Sequence, residues 1–206
     1  MPNLHPPAPR LRRAALPVLL TLVLALGPWA GTGFAAQAPA AFPDLPLNPN
    51  AQQAAALGLG PGEPASLSRI PAQALLVLLV SYFCPPCHKE MPRIKDLERR
   101  IRERGLAGRI RLIGLAVGDD QALVASFLAR HGGLNFPLLP DPVLAAHKRL
   151  GNPVVPTLYA VAGQGGKLRL VLKREGEFVE DPDAFLDTLL RALSIPPGAT
   201  KTPRGK

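Results

Sequence analysis

Cysteine is almost absent from this 206-residue chain, which has two of them, Cys84 and Cys87. They cannot complete a tetrahedral zinc site alone, and the four histidines, at positions 5, 88, 131 and 147, supply no matching second half. Aromatic residues make up only 5% of the chain and are scarcely interleaved with its lysines and arginines. The basic residues therefore read as a solvated face and not as a nucleic-acid site. No internal repeat is evident. Long apolar runs are confined to one place, Ala14 to Ala30. The most apolar stretch beyond it, Ala74 to Val80, is short, rich in Leu and Val and followed at once by prolines, so it reads as a buried strand and not as a membrane span.

The Ala14 to Ala30 run follows Arg10, Arg12 and Arg13 and precedes small residues, with candidate cleavage points after Ala35 or Ala38. This is the pattern of an export signal. An uncleaved N-terminal membrane anchor is the alternative, because the run is near the lower limit for a spanning helix and Pro17, Gly27 and Pro28 interrupt it. Both place the remainder in the periplasm or otherwise outside the cytoplasm. Arg12-Arg13 is compatible with a twin-arginine signal, but the flanking residues do not strengthen it. No cysteine follows the run, which argues against a lipid-anchored lipoprotein. The expected organisation is a signal or anchor at 1–38, a Pro/Ala/Gly-rich linker leading into the domain at 39–64, one domain at 65–195 and a basic flexible tail at 196–206. Three of the 24 basic residues lie in the leader, and the other 21 against 15 acidic ones leave a net charge of about +6. That supports no more than a weak preference for acidic partners or an anionic membrane surface.

What the chain does have is the stretch VSYFCPPCHKEMP, Val80 to Pro92. A strand ends there, Pro86 suits the first turn of a helix, and the cysteines fall at the junction. Unpaired N–H groups and the positive end of the dipole at a helix N-terminus stabilise a thiolate, most strongly for the cysteine nearer the start, Cys84. With two residues between them, Cys87 can attack a mixed disulfide formed by Cys84, so the pair reads as a reversible two-electron switch. Two other readings compete. A purely structural disulfide is one, although so short a loop restricts the unfolded chain little. The other is covalent c-type haem attachment, since Cys84-Pro-Pro-Cys87-His88 matches that pattern, but Met91 is too close on the same helix to be the second axial ligand.

The rest of the chain alternates. Ala51 to Leu57 suggests a short helix and Ala65 to Leu67 an edge strand. Met91, Ile94, Leu97 and Ile101 mark the buried face of a helix from Lys89 to Arg104 that ends near Gly105, with Pro92 inside it. Then come a strand at Ile110 to Val117 and a helix opened by Asp119 or Asp120, closed by Gly132-Gly133, with Leu123, Phe127 and Leu128 inward. A strand at Phe136 to Leu139 is followed by a helix capped by Asp141-Pro142 and running through Leu150. A hairpin of Val154 to Val161 with Leu168 to Lys173 and a helix at Pro182 to Leu193 complete the pattern. The order β-α-β-α-β-α-β-β-α predicts an α/β fold, a mixed sheet flanked by helices on both faces.

FCPPCHKEMP after a strand, Val155-Pro156-Thr157 some 70 residues on, and the closing hairpin and helix resemble the thioredoxin-like TlpA/ResA branch over roughly Phe42 to Ile195. The resemblance implies an extracytoplasmic thiol-disulfide oxidoreductase, expected to be a monomer without bound cofactor or metal. It would reduce disulfides of partner proteins, apocytochromes before haem attachment among them, and draw electrons from a membrane donor. It implies Cys84 as attacking and Cys87 as resolving thiol, and Pro156 as the cis-proline facing them, with Val155 offering its backbone to substrate. Glu90, one helical turn after Cys87, would be the proton acceptor. Phe83, where the family usually has Trp, would form the apolar floor for substrate. Leu78 replaces the buried strand acid of thioredoxins, which puts proton handling on Glu90. Val155 is closer to the oxidising DsbA-like proteins, so a DsbA-like oxidant is an alternative, as is a thioredoxin-fold module that binds partners without turnover. His88 is either a solvated helix residue or an imidazolium that would favour a thiolate and raise the potential.

Overall fold

The structure is a computed structural model that describes residues 40–60, 64–164 and 166–197. The expected leader and nearly all of the expected basic tail lie outside the described residues. Strand β2 (Ala74–Val80) is the axis of a six-stranded sheet in which it pairs parallel with β3 (Ile110–Val117) and antiparallel with β5 (Thr157–Gln164). Outward from these lie β4 (Leu138–Asp141) beside β3, and β6 (Lys167–Glu175) beside β5. β1 (Ala41–Phe42) forms the edge beyond β6.

All seven residues of β2 are buried, because both faces of the sheet are covered. Ala74, Leu76, Leu78 and Val80 share a core with α2 (Pro85–Glu103), α3 (Gln121–Arg130) and α5 (Pro182–Leu193). Leu75, Val77 and Leu79 share the other with α1 (Ala51–Leu57), Leu67 and Ile70, and α4 (Ala145–Arg149). Each buried Leu or Val contributes roughly 1.5–3 kcal/mol, so β2 is firmly held between the two cores. The expected run of strands and helices is present from β2 to α5, with β1 and α1 ahead of it. Leu45 and Leu57, in the Pro/Ala/Gly-rich segment, are fully buried in the second core.

The sequence-based expectations need correction at several places. The edge strand is Ala41–Phe42, where Phe42 packs on Tyr159; Ser66 makes only an isolated bridge to Pro46, and Leu67–Arg69 is a 3-10 turn that buries Leu67. β4 runs two residues later than expected and includes Pro140, which an edge strand tolerates because a ladder donor is needed on only one side. Asp141 closes that strand instead of opening a helix. α4 begins at Ala145, and its Ala146 and His147 N–H groups donate to the Asp141 carboxylate at 3.2 and 3.0 Å. In α3 the fully buried contacts are Val124 and Phe127, while Leu123 and Leu128 are half-buried. β5 starts at Thr157, just after Pro156, and not at Val154.

Candidate active site

β2 and its parallel neighbour β3 end side by side, and the site is built on those two ends. The chain leaves Val80 through Ser81, Tyr82 and Phe83, and Asp119, just past β3, fixes this turn. Its buried carboxylate accepts the Tyr82 N–H at 2.6 Å and the Ser81 hydroxyl at 3.3 Å. Burial pushes the Asp119 carboxyl up, while the Tyr82 N–H, the Ser81 hydroxyl and the charge of His88 work against it. Cys84 is then the N-cap of α2, with Pro85 and Pro86 in the first turn, where a missing N–H costs nothing.

Cys84 and Cys87 are joined in a disulfide. Cys84 is 8% exposed and Cys87 is fully buried, so solvent and partners reach the pair from the Cys84 side. The Cys87 N–H donates to Cys84 Sγ at 3.2 Å, which is the contact that stabilises a Cys84 thiolate once the bond is reduced. The Val155 carbonyl oxygen lies 3.6 Å from Cys84 Sγ, and the Val155–Pro156 bond is cis. Thr157 Oγ1 donates to the Val154 carbonyl at 2.7 Å and closes the loop around that bond. Phe83 is 74% and Val154 61% exposed, apolar surface flanking Cys84 and Val155 in the chain. Leu78 is buried in the first core, so β2 presents no acid beneath the pair.

Glu90 lies on α2 one turn beyond Cys87 and is only 3% exposed, against the solvated position common for such a residue. Its carboxylate accepts the Phe178 N–H at 2.8 Å. Burial raises its pKa from 4.5 to about 7; the Phe178 N–H moderates the rise and nearby Glu177 adds to it. Glu177 itself is held by Lys89 at 2.9 Å. His88 is not simply solvated either. Its Nε2 stands 2.7 Å from the Tyr82 carbonyl oxygen, its Nδ1 stands 2.8 Å from His131 Nε2, and its ring stacks on Phe127. Both ring nitrogens of His88 are thus engaged by protein atoms. No cluster of three or more potential metal ligands occurs among the described residues.

Cys84, Cys87, Val155 and Pro156 therefore converge, with Phe83 exposed next to them and Glu90 buried on the same helix. Asp119 and His131 escaped the sequence reading. The doublet Asp119-Asp120 after a strand signals a helix cap, and Asp120 is that cap, accepting from Ala122 and Leu123 at 2.9 Å. Only the fold shows that Asp119 faces the other way.

The profile of the Redoxin family matches residues 41–173. The chain belongs to the Redoxin family. Among curated relatives, thiol-disulfide oxidoreductase ResA of Halalkalibacterium halodurans is 26% identical over 104 residues, 50% of this chain and 56% of that protein. The chain thus spans little more than half the length of that relative. A crystal structure of a thiol:disulfide interchange protein DsbE from Chlorobium tepidum aligns with a TM-score of 0.56 at 18% identity, over 75% of this chain and 96% of that one. The solution structure of a thioredoxin from Neisseria meningitidis gives 0.52 at 22%, over 74% and 89%. At such identities these likenesses speak for the fold: this Redoxin chain has the thioredoxin-like mixed sheet flanked by helices.

Proposed function

We propose that the protein is an extracytoplasmic thiol-disulfide oxidoreductase that reduces disulfides of partner proteins. The observation that carries the reading is the asymmetry of the pair. Cys84 sits at a helix N-cap, partly open, with an N–H aimed at its sulfur and the Val155 carbonyl 3.6 Å from it, while Cys87 is sealed behind it. The Cys84 thiolate attacks one sulfur of a substrate disulfide, the S–S bond breaks, and the other substrate sulfur leaves as a thiolate and takes up a proton. Cys87 then gives its proton to the Glu90 carboxylate and attacks Cys84 Sγ. The mixed disulfide breaks, the second substrate thiol departs, and the Cys84–Cys87 disulfide remains. Both electrons come from the two cysteine sulfurs, so turnover requires a dithiol donor, for which a membrane protein is the natural source, and no bound cofactor. Glu90 suits its part because a carboxyl with a pKa of about 7 exchanges protons readily near neutrality. Phe83 and Val154 offer apolar contact to an extended substrate segment, and the Val155 backbone offers pairing. The leader pattern, and the family likeness to ResA, support action outside the cytoplasm.

The test is the equilibrium of the Cys84/Cys87 pair with a glutathione series, read by alkylation of free thiols. A reversible potential toward the thioredoxin end supports a reductase; one at the DsbA end reverses the direction of electron flow; a pair that never equilibrates refutes the reading.

A further inference from the structure

His88 and His131 meet between the first turns of α2 and the end of α3. The Tyr82 carbonyl can only accept, so Nε2 of His88 carries a hydrogen in every state. Across the 2.8 Å between His88 Nδ1 and His131 Nε2 there is room for one hydrogen, because two N–H groups cannot face each other at that distance. The pair is therefore either neutral, with His131 donating, or a monocation. The surroundings decide where the single charge rests. Burial and the charges of His88, Arg130 and Lys95 all hold His131 below the usual histidine range, and the Lys95 ammonium donates to the His131 carbonyl at 2.9 Å. Asp119 lies on the His88 side, close enough to feel its charge, and bonds the N–H of the same Tyr82 whose carbonyl His88 holds. Of the remaining charges near this turn, Lys89 is occupied by Glu177, and Asp120 caps α3. Lys95 at the His131 carbonyl, and Asp119 on the same Tyr82 that His88 holds, thus favour the shared hydrogen on His88 Nδ1 with His131 Nε2 as its acceptor. His88 is also the residue after Cys87, and its backbone N–H donates to the Cys84 carbonyl at 3.3 Å.

We infer that His131 is a positioning residue that acts through His88: by accepting the Nδ1 proton it holds a cationic imidazole at the first turn of α2, where the charge stabilises the Cys84 thiolate and couples the dithiol to pH. This rests on the reading of Cys84 and Cys87 as a redox pair. Linkage gives a reciprocal consequence, since a cation that favours the thiolate is itself favoured by it. The imidazole pair should take up its proton at higher pH in the reduced protein than in the oxidised one.

The experiment uses the whole chain. Histidine ring resonances are followed against pH by NMR in both redox states, and thiolate absorbance is titrated for wild type, His131→Phe and His131→Gln. Phenylalanine keeps a ring against Phe127 but cannot accept a proton, whereas glutamine can accept through Oε1. Expected are an upward shift of the imidazole midpoint on reduction, a rise of the thiolate midpoint by about one unit in His131→Phe, and substantial recovery in His131→Gln. An imidazole midpoint unmoved by reduction, or thiolate curves of wild type and His131→Phe that overlay, overturns the inference. Should the phenylalanine variant not fold, the wild-type NMR titration decides alone. A wild-type protein that exchanges normally with glutathione while its midpoints stay fixed loses only the histidine role; one that never exchanges loses the redox reading as well.

Discussion

Replacing Glu90 by glutamine isolates the most perturbed carboxyl in the site. Glutamine keeps the size and an oxygen that can accept the Phe178 N–H, and removes only the charge. In the folded protein Glu90 loses its proton at about pH 7, and in the unfolded chain near 4.5. Below the unfolded value both states are protonated and the residue is neutral in its buried place. Between the two values the native state holds a proton that the unfolded state has released, so stability falls as pH rises. Above the folded value the full cost of a buried carboxylate has been incurred. A difference of roughly 2.5 units at 1.36 kcal/mol each makes that cost about 3 kcal/mol. Chemical denaturation of the oxidised protein across this range, wild type against Glu90→Gln, should therefore show the variant gaining on the wild type by about 3 kcal/mol from acid to mildly alkaline pH. The lowered His131 contributes with the opposite sign in an overlapping range, but it is present in both proteins and drops out of the difference. Parallel stability curves would show that Glu90 titrates as an ordinary carboxyl and would refute its part in proton transfer. The same variant should also have lower cysteine midpoints and slower release of the mixed disulfide, because it lacks both the negative charge and the proton acceptor.

Cys87→Ser should accumulate a covalent complex with a disulfide-bonded protein on non-reducing electrophoresis, and Cys84→Ser should not; equal trapping by both would reject the assignment of attacking and resolving thiols. Asp119→Ala leaves the Tyr82 N–H without its acceptor, so the denaturation midpoint should correspond to a loss of about 1–3 kcal/mol, and a variant as stable as wild type would show that the turn is held by other contacts. Phe83→Ser, at a position 74% exposed, should leave thermal stability within about 0.5 kcal/mol while raising the KM for protein substrates but not for glutathione. A lower melting temperature, or an equal effect on both substrates, would remove Phe83 from substrate binding.

Much of the architecture was legible because it depends on short-range patterns. The apolar run Ala74 to Val80, the cap Asp181 before Pro182, and the Ile110 to Val117 strand gave element bounds that coincide with the structure. The failures came where a distant partner overrides local preference. Pro140 is tolerated in a strand because that strand lies at the edge of the sheet, and Asp141, the last residue of that strand, meets the Ala146 and His147 N–H groups because Leu144 turns the chain with φ 60°. The cysteine pair announced itself through its spacing. The depth at which Glu90 is buried did not, because it depends on Phe178, 88 positions away. His131 carried no signal either: its partner is 43 positions away, on a different helix.

The charges around the pair explain why a helix with two prolines and no acid in its first turn suits this chemistry. The first turn of α2 contains no acidic residue and its last turn carries Arg100 and Arg102, so nothing at its N-terminus competes with a thiolate for the positive end of the dipole. The nearest acid along the helix is Glu90, which burial keeps protonated up to about pH 7, so over that range it adds no repulsion to a Cys84 thiolate. Once Glu90 ionises, it can serve as the base that the proposed mechanism gives Cys87, at the cost of opposing negative charge on the sulfurs. A strand acid beneath the pair would add a second such group, but β2 places Leu78 in the core. On the proposed mechanism, attack by Cys84 and resolution by Cys87 thus respond with opposite sign to the Glu90 proton, and the burial of Glu90 helps to set the pH at which the two steps are balanced.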